Sequence, residues 1–332
     1  MTSHHGRRAR RLALLTAAAL LAAILGACAQ ESSPDEFVAD ERKPYSELYE
    51  AFSALTDRGW TLDVIIESRP QGTTAALPII ALRSPVEGEA AWFLAGIHGE
   101  EPAGPNALFT VLDDIALLGE RYPVVLMPLL NPQGYVRNWR YLNTPVYSES
   151  VEAQSVGDSS HLLADPAAPG TARAEAASSP EAAAISAYVL QTMSTYPPRY
   201  SIDLHEDNML QRGYVYSQGE LGAADPLAHE AVDALISSGI PLQLDGETRF
   251  GEQIENGIIG PVTDSSIDEL MSATEVLVEG AMASGPAATT VLVFETPSAA
   301  ASFDNRVTAH VELLRRLIDK IGTESTPESR PE

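Results

Sequence analysis

The chain has a single cysteine in 332 residues, Cys28, so no intramolecular disulfide can form. Stability has to come from core packing and from any bound metal. Basic residues are also scarce: 21 Lys and Arg stand against 46 Asp and Glu, a formal net charge of −25. That balance excludes nucleic acid as a partner, because phosphate recognition needs a basic surface. It fits a solubilising surface, with steering of cationic substrates as a second reading. Apolar residues make up 45% of the chain, an ordinary fraction that allows a sizeable core.

What is present begins at the N-terminus. In "MTSHHGRRARRLALLTAAALLAAILGACAQ" four arginines (Arg7, Arg8, Arg10, Arg11) precede an apolar run and then small residues, the order of an export signal. The run ends in Leu25-Gly26-Ala27-Cys28, which resembles a bacterial lipobox. The resemblance implies that residues 1–27 are a lipoprotein signal peptide and that Cys28 carries the lipid. The protein would then be extracytoplasmic, anchored to the cell membrane. An uncleaved anchor and a plain signal peptide are the alternatives. Loss of those residues takes away four arginines and no acid, which moves the formal charge from −25 to −29.

Residues 28–42 are polar and aperiodic, as a flexible tether would be, and 323–332 read as a disordered tail. Between them, 43–322 read as a single α/β domain. Strands are expected over 77–82, 91–97, 124–130, 200–204, 213–217 and 290–294, and helices over 44–57, 102–118, 180–195, 225–238 and 300–321. Such alternation implies a mostly parallel mixed sheet flanked by helices on both faces. In these sheets ligands bind outside the carboxyl ends of the strands. The stretch 144–179 is too long for an ordinary connection and is either a disordered insertion or a lid.

Polar residues after strands therefore carry the chemistry. "AGIHGEEPAG" sets His98 and Glu101 three apart at a helix entrance, where an imidazole and a carboxylate can reach one ion, with Glu100 read as an exposed neighbour. "RYSIDLHEDN" ends a strand in His205, with Asp203 placed to fix its tautomer. Two histidines and a glutamate with one open position make a catalytic zinc set. "TTVLVFETPS" places Glu295 at a strand end, either a proton shuttle in a partly dry pocket or a solvated terminal glutamate.

The order of motifs, His-x-x-Glu, Asn-Pro-x-Gly with a following arginine, Asp-x-His and a late Glu-Thr-Pro, resembles the zinc carboxypeptidase-like peptidases over 91–298. Deacylases of the succinylglutamate desuccinylase and aspartoacylase type share the ligand pattern. The resemblance implies the zinc-carboxypeptidase (phosphorylase/hydrolase-like) fold, and one Zn2+ per chain on His98, Glu101 and His205. It implies Glu295 as general base and acid. In "NPQGYVRNWRYLN" it makes Arg140 the arginine that steadies the oxyanion, with Arg137 as competitor. Members that remove C-terminal residues carry an Asn-Arg pair beyond this arginine to grip the terminal carboxylate. Here the chain reads "SVGDSSHLL" instead.

Candidate substrate-binding residues are Arg137, Asn143, Tyr214 and His161, the last in place of the missing arginine. Asp158, Ser160 and His161 are too crowded in one loop to form a serine triad, whose nucleophile and base need opposed directions. The expectation is a zinc-dependent hydrolase cleaving an amide bond in peptides, a carboxypeptidase-type metallopeptidase with altered end-group recognition. An N-acyl amino-acid deacylase is the near variant. A catalytically inactive surface binding lipoprotein is the rival, and Glu295 separates the two, since a binding module has no need of it.

Overall fold

The apolar runs become the middle of an eight-stranded mixed sheet among the described residues, which in the computed structural model are 40–69, 76–142 and 158–324. In chain order the strands are β1 Thr61–Ser68, β2 Leu77–Arg83, β3 Ala90–Ala95, β4 Val124–Met127, β5 Ala164–Asp165, β6 Ala168–Ala172, β7 Pro198–Asp207, β8 Tyr214–Ser217, β9 Gly246–Glu247, β10 Gln253–Ile254, β11 Ile258–Ile259, β12 Glu275–Val278, β13 Ala281–Ser284 and β14 Thr290–Pro297. The large sheet has the order β1-β2-β4-β3-β7-β14-β8-β11. Its centre, β4, β3, β7 and β14, is parallel throughout. The β1–β2, β2–β4 and β14–β8 pairs are antiparallel, and β8–β11 is parallel. The remaining strands form the hairpins β5/β6, β9/β10 and β12/β13.

Helices cover both faces: α1 Tyr45–Ser53, α2 Ala103–Thr110, α3 Leu112–Gly119, α4 Pro132–Tyr135, α5 Pro180–Thr192, α6 Pro226–Ser237, α7 Ile267–Ser272 and α8 Phe303–Glu324. The period of two along β3 explains why two layers are needed. Ala91, Phe93 and Ala95 join a core with Phe52, Leu108, Ile115, Leu235 and Leu314 of α1, α2, α3, α6 and α8. Ala90, Trp92 and Leu94 join a second core with Ile185 and Val189 of α5 and Leu270 and Met271 of α7. Burying each large apolar side chain contributes about 1.5–3 kcal/mol.

Several expected boundaries move for local reasons. β3 stops at Ala95 because Gly96 takes a left-handed φ of 66°. β4 stops at Met127 because Pro128 has no N–H for the ladder. The helix expected over 102–118 breaks at Val111, with φ −103° and ψ 18°. There Thr110 donates its hydroxyl back to Asn106 O at 2.8 Å, a bond that bends helices, and two β-branched residues follow one another. β1 was not expected at all. It is an edge strand with Asp63 and Glu67 on it and a register shift between Val64 and Ile66, which erases the alternation.

The tether's last residues are drawn into the fold, since Arg42 is 6% exposed. Residues 158–179 of the long stretch form turns and the β5/β6 hairpin. The expected signal peptide 1–27, Cys28, Asn143, the part of the long stretch over 144–157 and the tail from 325 lie outside the described residues. No helix among the described residues is long and apolar enough to cross a membrane.

Candidate metal centre and active site

Because β3, β4, β7 and β14 run parallel, their carboxyl ends lie along one edge of the sheet, and the polar motifs follow those ends. After β3 the chain turns at Gly96 and presents His98 and Glu101 before α2 begins at Ala103. The Ala103 N–H at that helix start donates to Glu206 Oε1 at 2.7 Å, which docks the loop onto β7. Glu206 is itself held by a buried ion pair with Arg306 of α8.

After β4, Asn131 caps the short α4: its Oδ1 accepts from Gly134 N at 2.8 Å and its Nδ2 donates to Arg140 O at 3.1 Å. Two glycines allow this turn to press against the metal loop. A Cβ on Gly99 would stand 2.1 Å from the Gly134 carbonyl carbon, and one on Gly134 would stand 2.3 Å from Trp139 O. Gly99 N–H donates to Arg140 O at 3.3 Å across this contact. Arg42 clamps it from outside, donating to Gly99 O at 3.3 Å, Tyr135 O at 2.6 Å and Asn138 Oδ1 at 2.7 Å.

β7 and β14 pair in parallel with His205 opposite Glu295, so the two side chains leave the sheet on the same face, roughly 5 Å apart at the backbone. Asp203, two residues before His205, shares that face. His98 Nδ1 lies 2.9 Å from Glu101 Oε1, and His205 Nδ1 lies 3.1 Å from Glu101 Oε2. The two imidazole rings are 4.8 Å apart at 77°. One donor atom from each of His98, Glu101 and His205 lies within 4.8 Å of the others. A tetrahedral zinc ion with bonds of about 2.0–2.2 Å holds its ligand atoms ~3.4 Å apart. The 2.9 and 3.1 Å contacts have to open by a few tenths of an ångström, and no pair of the set stands farther than 4.8 Å apart. The residues fit the metal.

The electrostatics suit ligation. Burial, with Arg140 adding, lowers His98 to about 4, so its imidazole is neutral and offers a lone pair. Burial raises Glu101, but His98, Arg140 and His205 outweigh it and the carboxylate ends well below its ordinary range. Burial lowers His205, but Asp203, whose Oδ2 is 3.1 Å from His205 Nε2, and Glu101 carry it well above its ordinary value. Glu295 is pushed up to about 8, first by burial, with Glu101 and Asp207 adding and His205 and Arg140 opposing. It is 9% exposed and its Oε2 has no hydrogen-bond partner, so this oxygen can take a proton or bond a reactant. Arg140 reaches Glu101 Oε1 at 2.6 Å and Glu100 Oε1 at 3.0 Å.

Five of the expected residues thus gather at one place: His98, Glu101, His205, Glu295 and Arg140. Asp203 stands behind His205. Tyr214 is buried opposite Glu295 in the β14–β8 register, with its hydroxyl donating to Asp207 Oδ2 at 2.9 Å. Arg137 is exposed on the turn after α4, and His161 lies against Ser186 Oγ of α5 at 3.4 Å. Glu100 is a correction: instead of standing exposed it is partly buried and holds Arg140, and burial raises it to about 7 with Glu101 adding. The signal for it was the arginine itself, which a carboxylate had to position. Arg42 and the approach of Gly99 to Gly134 also went unread, because a close approach of two loops leaves no local pattern.

No protein-family model matches the chain, and no curated protein matches it in sequence. Solved structures do match. A presumed metallopeptidase from Shewanella baltica superposes with a TM-score of 0.64 at 21% identity, over 87% of this chain and 99% of its own. One from Shewanella amazonensis gives 0.62 at 23% identity, over 83% and 92%. A metallo-carboxypeptidase from Burkholderia cenocepacia gives 0.54 at 12% identity, over 86% and 71%. At these identities the likeness is one of fold, and joined to the mixed sheet and its helical layers it shows that the chain has the zinc carboxypeptidase-like fold.

Proposed function

We propose that the chain is a zinc-dependent amide hydrolase acting on peptides, with one zinc per chain on His98, Glu101 and His205. The observation that carries this reading is the convergence of that donor set with Glu295 and Arg140 at one sheet edge. The solved neighbours described as metallopeptidases and a metallo-carboxypeptidase support it. Zinc there supplies a Lewis acid that polarises the scissile carbonyl and acidifies water.

The protein's own groups do the rest. Glu295 accepts the proton of the attacking water and returns it to the leaving nitrogen, which its raised pKa and unbonded oxygen allow. The guanidinium of Arg140, oriented by Glu100, donates to the developing oxyanion. Asp203 holds the His205 ring through Nε2, leaving Nδ1 for the ion. Anchoring through a lipid on Cys28, outside the cytoplasm, belongs to the same proposal and rests on the order of residues 1–28. Loss of membrane association on Cys28→Ser tests that part.

The catalytic reading is tested by hydrolysis of a mixed library of peptides and N-acyl amino acids. Chelator-sensitive turnover is expected, with Glu295→Gln reducing kcat by about 10²–10⁴-fold while zinc content stays unchanged. Zinc without any turnover would favour a binding lipoprotein, and an unaltered rate in Glu295→Gln would remove the role given to that residue.

A further inference from the structure

The opposite face of the sheet carries a buried polar layer that the reaction just described does not use. One residue beyond His205 and Glu295, the β7–β14 register pairs Glu206 with Thr296, so these two side chains leave the sheet together on the face away from the metal centre. That face is otherwise apolar: Leu204 and Phe294, two residues back along the same strands, belong to one core with Ala309, Leu313 and Leu314 of α8. Into this interface α8 sends Arg306 and His310, four residues apart and therefore on one helix face. Arg306 pairs with Glu206, and His310 Nε2 lies 3.2 Å from Thr296 Oγ1. All four side chains are buried.

Each member of the α8 pair is one link from a group of the site. Glu206 holds the metal loop at two points: its carboxylate accepts from Ala103 N–H at 2.7 Å, and its own N–H donates at 3.0 Å to Glu101 Oε2, the oxygen that faces His205. Arg306 therefore reaches Glu101 through Glu206. Thr296 follows Glu295 in β14, so His310 reaches that carboxylate through one peptide unit. The His310 ring also stands edge-on to Phe294, with centroids 5.1 Å apart. Burial, with Arg306 and His205 adding, lowers His310 to about 3, so the ring is neutral and acts by hydrogen bonding. An apolar layer of the same volume would often be as stable, because buried charges and dipoles cost desolvation. What the polar layer adds is registry: one height of α8 against the strand ends satisfies both pairs at once.

We infer that Arg306 and His310 are positioning residues: from the back of the sheet they fix Glu101 and Glu295 relative to each other, and so align the proton acceptor with the three metal donors. The inference rests on the amide-hydrolase reading and deepens it, since it assigns the geometry of the site to a helix on the other side of the sheet. A misplacement of about 1 Å at a reacting group can cost about a hundredfold in rate. Loss of the His310 contact therefore reads out in turnover rather than in substrate binding, and loss of the Arg306 pair reads out in the geometry of the metal donors.

Four variants test the inference, each assayed below its own unfolding transition: His310→Leu, His310→Gln, Arg306→Met and Leu314→Ala. His310→Leu is expected to lower kcat about tenfold or more with KM and zinc content unchanged. His310→Gln, whose amide can still bond Thr296, should recover to within about threefold of wild type. Leu314→Ala removes apolar contact one turn along the same helix and should lower Tm with kcat unchanged, which separates positioning from stability. Arg306→Met is read without turnover: in cobalt-substituted protein the visible absorption bands, which report ligand geometry, should shift from their wild-type positions and stay in place in Leu314→Ala. If Arg306→Met does not fold, the double variant Arg306→Met/Glu206→Gln, which leaves no buried charge unpaired, takes its place. A kcat unmoved in His310→Leu, a loss of kcat in Leu314→Ala equal to it, or bands unmoved on loss of Arg306 would overturn the inference. If the wild-type protein hydrolyses nothing, the hydrolase reading fails separately and the cobalt bands decide: a shift on loss of Arg306 supports the positioning role, and no shift overturns it. Wild-type protein that takes up no cobalt would overturn both.

Discussion

Among single residues, Glu101 joins every part of the site. Its Oε1 meets His98 and Arg140, and its Oε2 meets His205 and the Glu206 N–H at 3.0 Å. Residues one step away should therefore act through it or through the histidines. Asp203→Asn removes the carboxylate behind His205, and zinc affinity measured by chelator competition should fall about 10–100-fold. An unchanged affinity would mean that Asp203 does not orient the ring. Arg140→Ala should lower kcat by about 10²–10³-fold with a smaller change in KM, which steady-state kinetics on any cleaved peptide can separate. A loss confined to KM would make Arg140 a substrate anchor instead. That His98, Glu101, His205, Glu295 and Arg140 would gather was legible in the sequence because their motifs stand at or beyond the carboxyl ends of β3, β4, β7 and β14. Glu100 was not, since two adjacent glutamates look alike until the arginine between the loops is placed.

Secondary-structure elements were legible where their apolar period was clean. β3, β4 and residues 291–294 of β14 read as continuous apolar runs, β7 mixes apolar with buried polar residues, and these four strands present the site. β1 and α7 were missed for opposite reasons: β1 is charged and bulged, while α7 has only six residues and announces itself through the capping pair Ser266 and Glu269. The junction between the metal loop and the α4 turn is the most sequence-silent part, because glycine contact is a tertiary fact. Gly99→Ala should cost about 1–3 kcal/mol in thermal or denaturant unfolding and lower zinc occupancy, by forcing the two loops apart. Gly260→Ala, where a Cβ meets nothing within 4 Å, serves as control and should be near neutral. Equal effects at the two positions would deny the close approach its role.

At the scale of the whole molecule, the burial of acids bears on stability. Asp158 is raised in the folded protein to about 7 against an ordinary value near 3.8. Between those values the folded state binds more protons than the unfolded one, so this group's contribution turns unfavourable as pH rises and is fully unfavourable above pH 7. Asp158→Asn should therefore raise Tm at pH 8, with a gain that shrinks as pH falls toward 4. A gain that grows toward acid would reverse the sign of the argument. The fold as a whole followed from alternation and length, and the arrangement of the parallel strands gave the edge on which four separated motifs had to meet.

That meeting is the central claim, and zinc stoichiometry tests it most directly. After dialysis against buffer with buffered zinc, elemental analysis should find one zinc per chain in the wild-type protein and close to none in Glu101→Ala or His205→Ala, with all three folded by circular dichroism. Wild-type protein without zinc, or variants that keep a full equivalent, would contradict the assignment of His98, Glu101 and His205 as the metal centre.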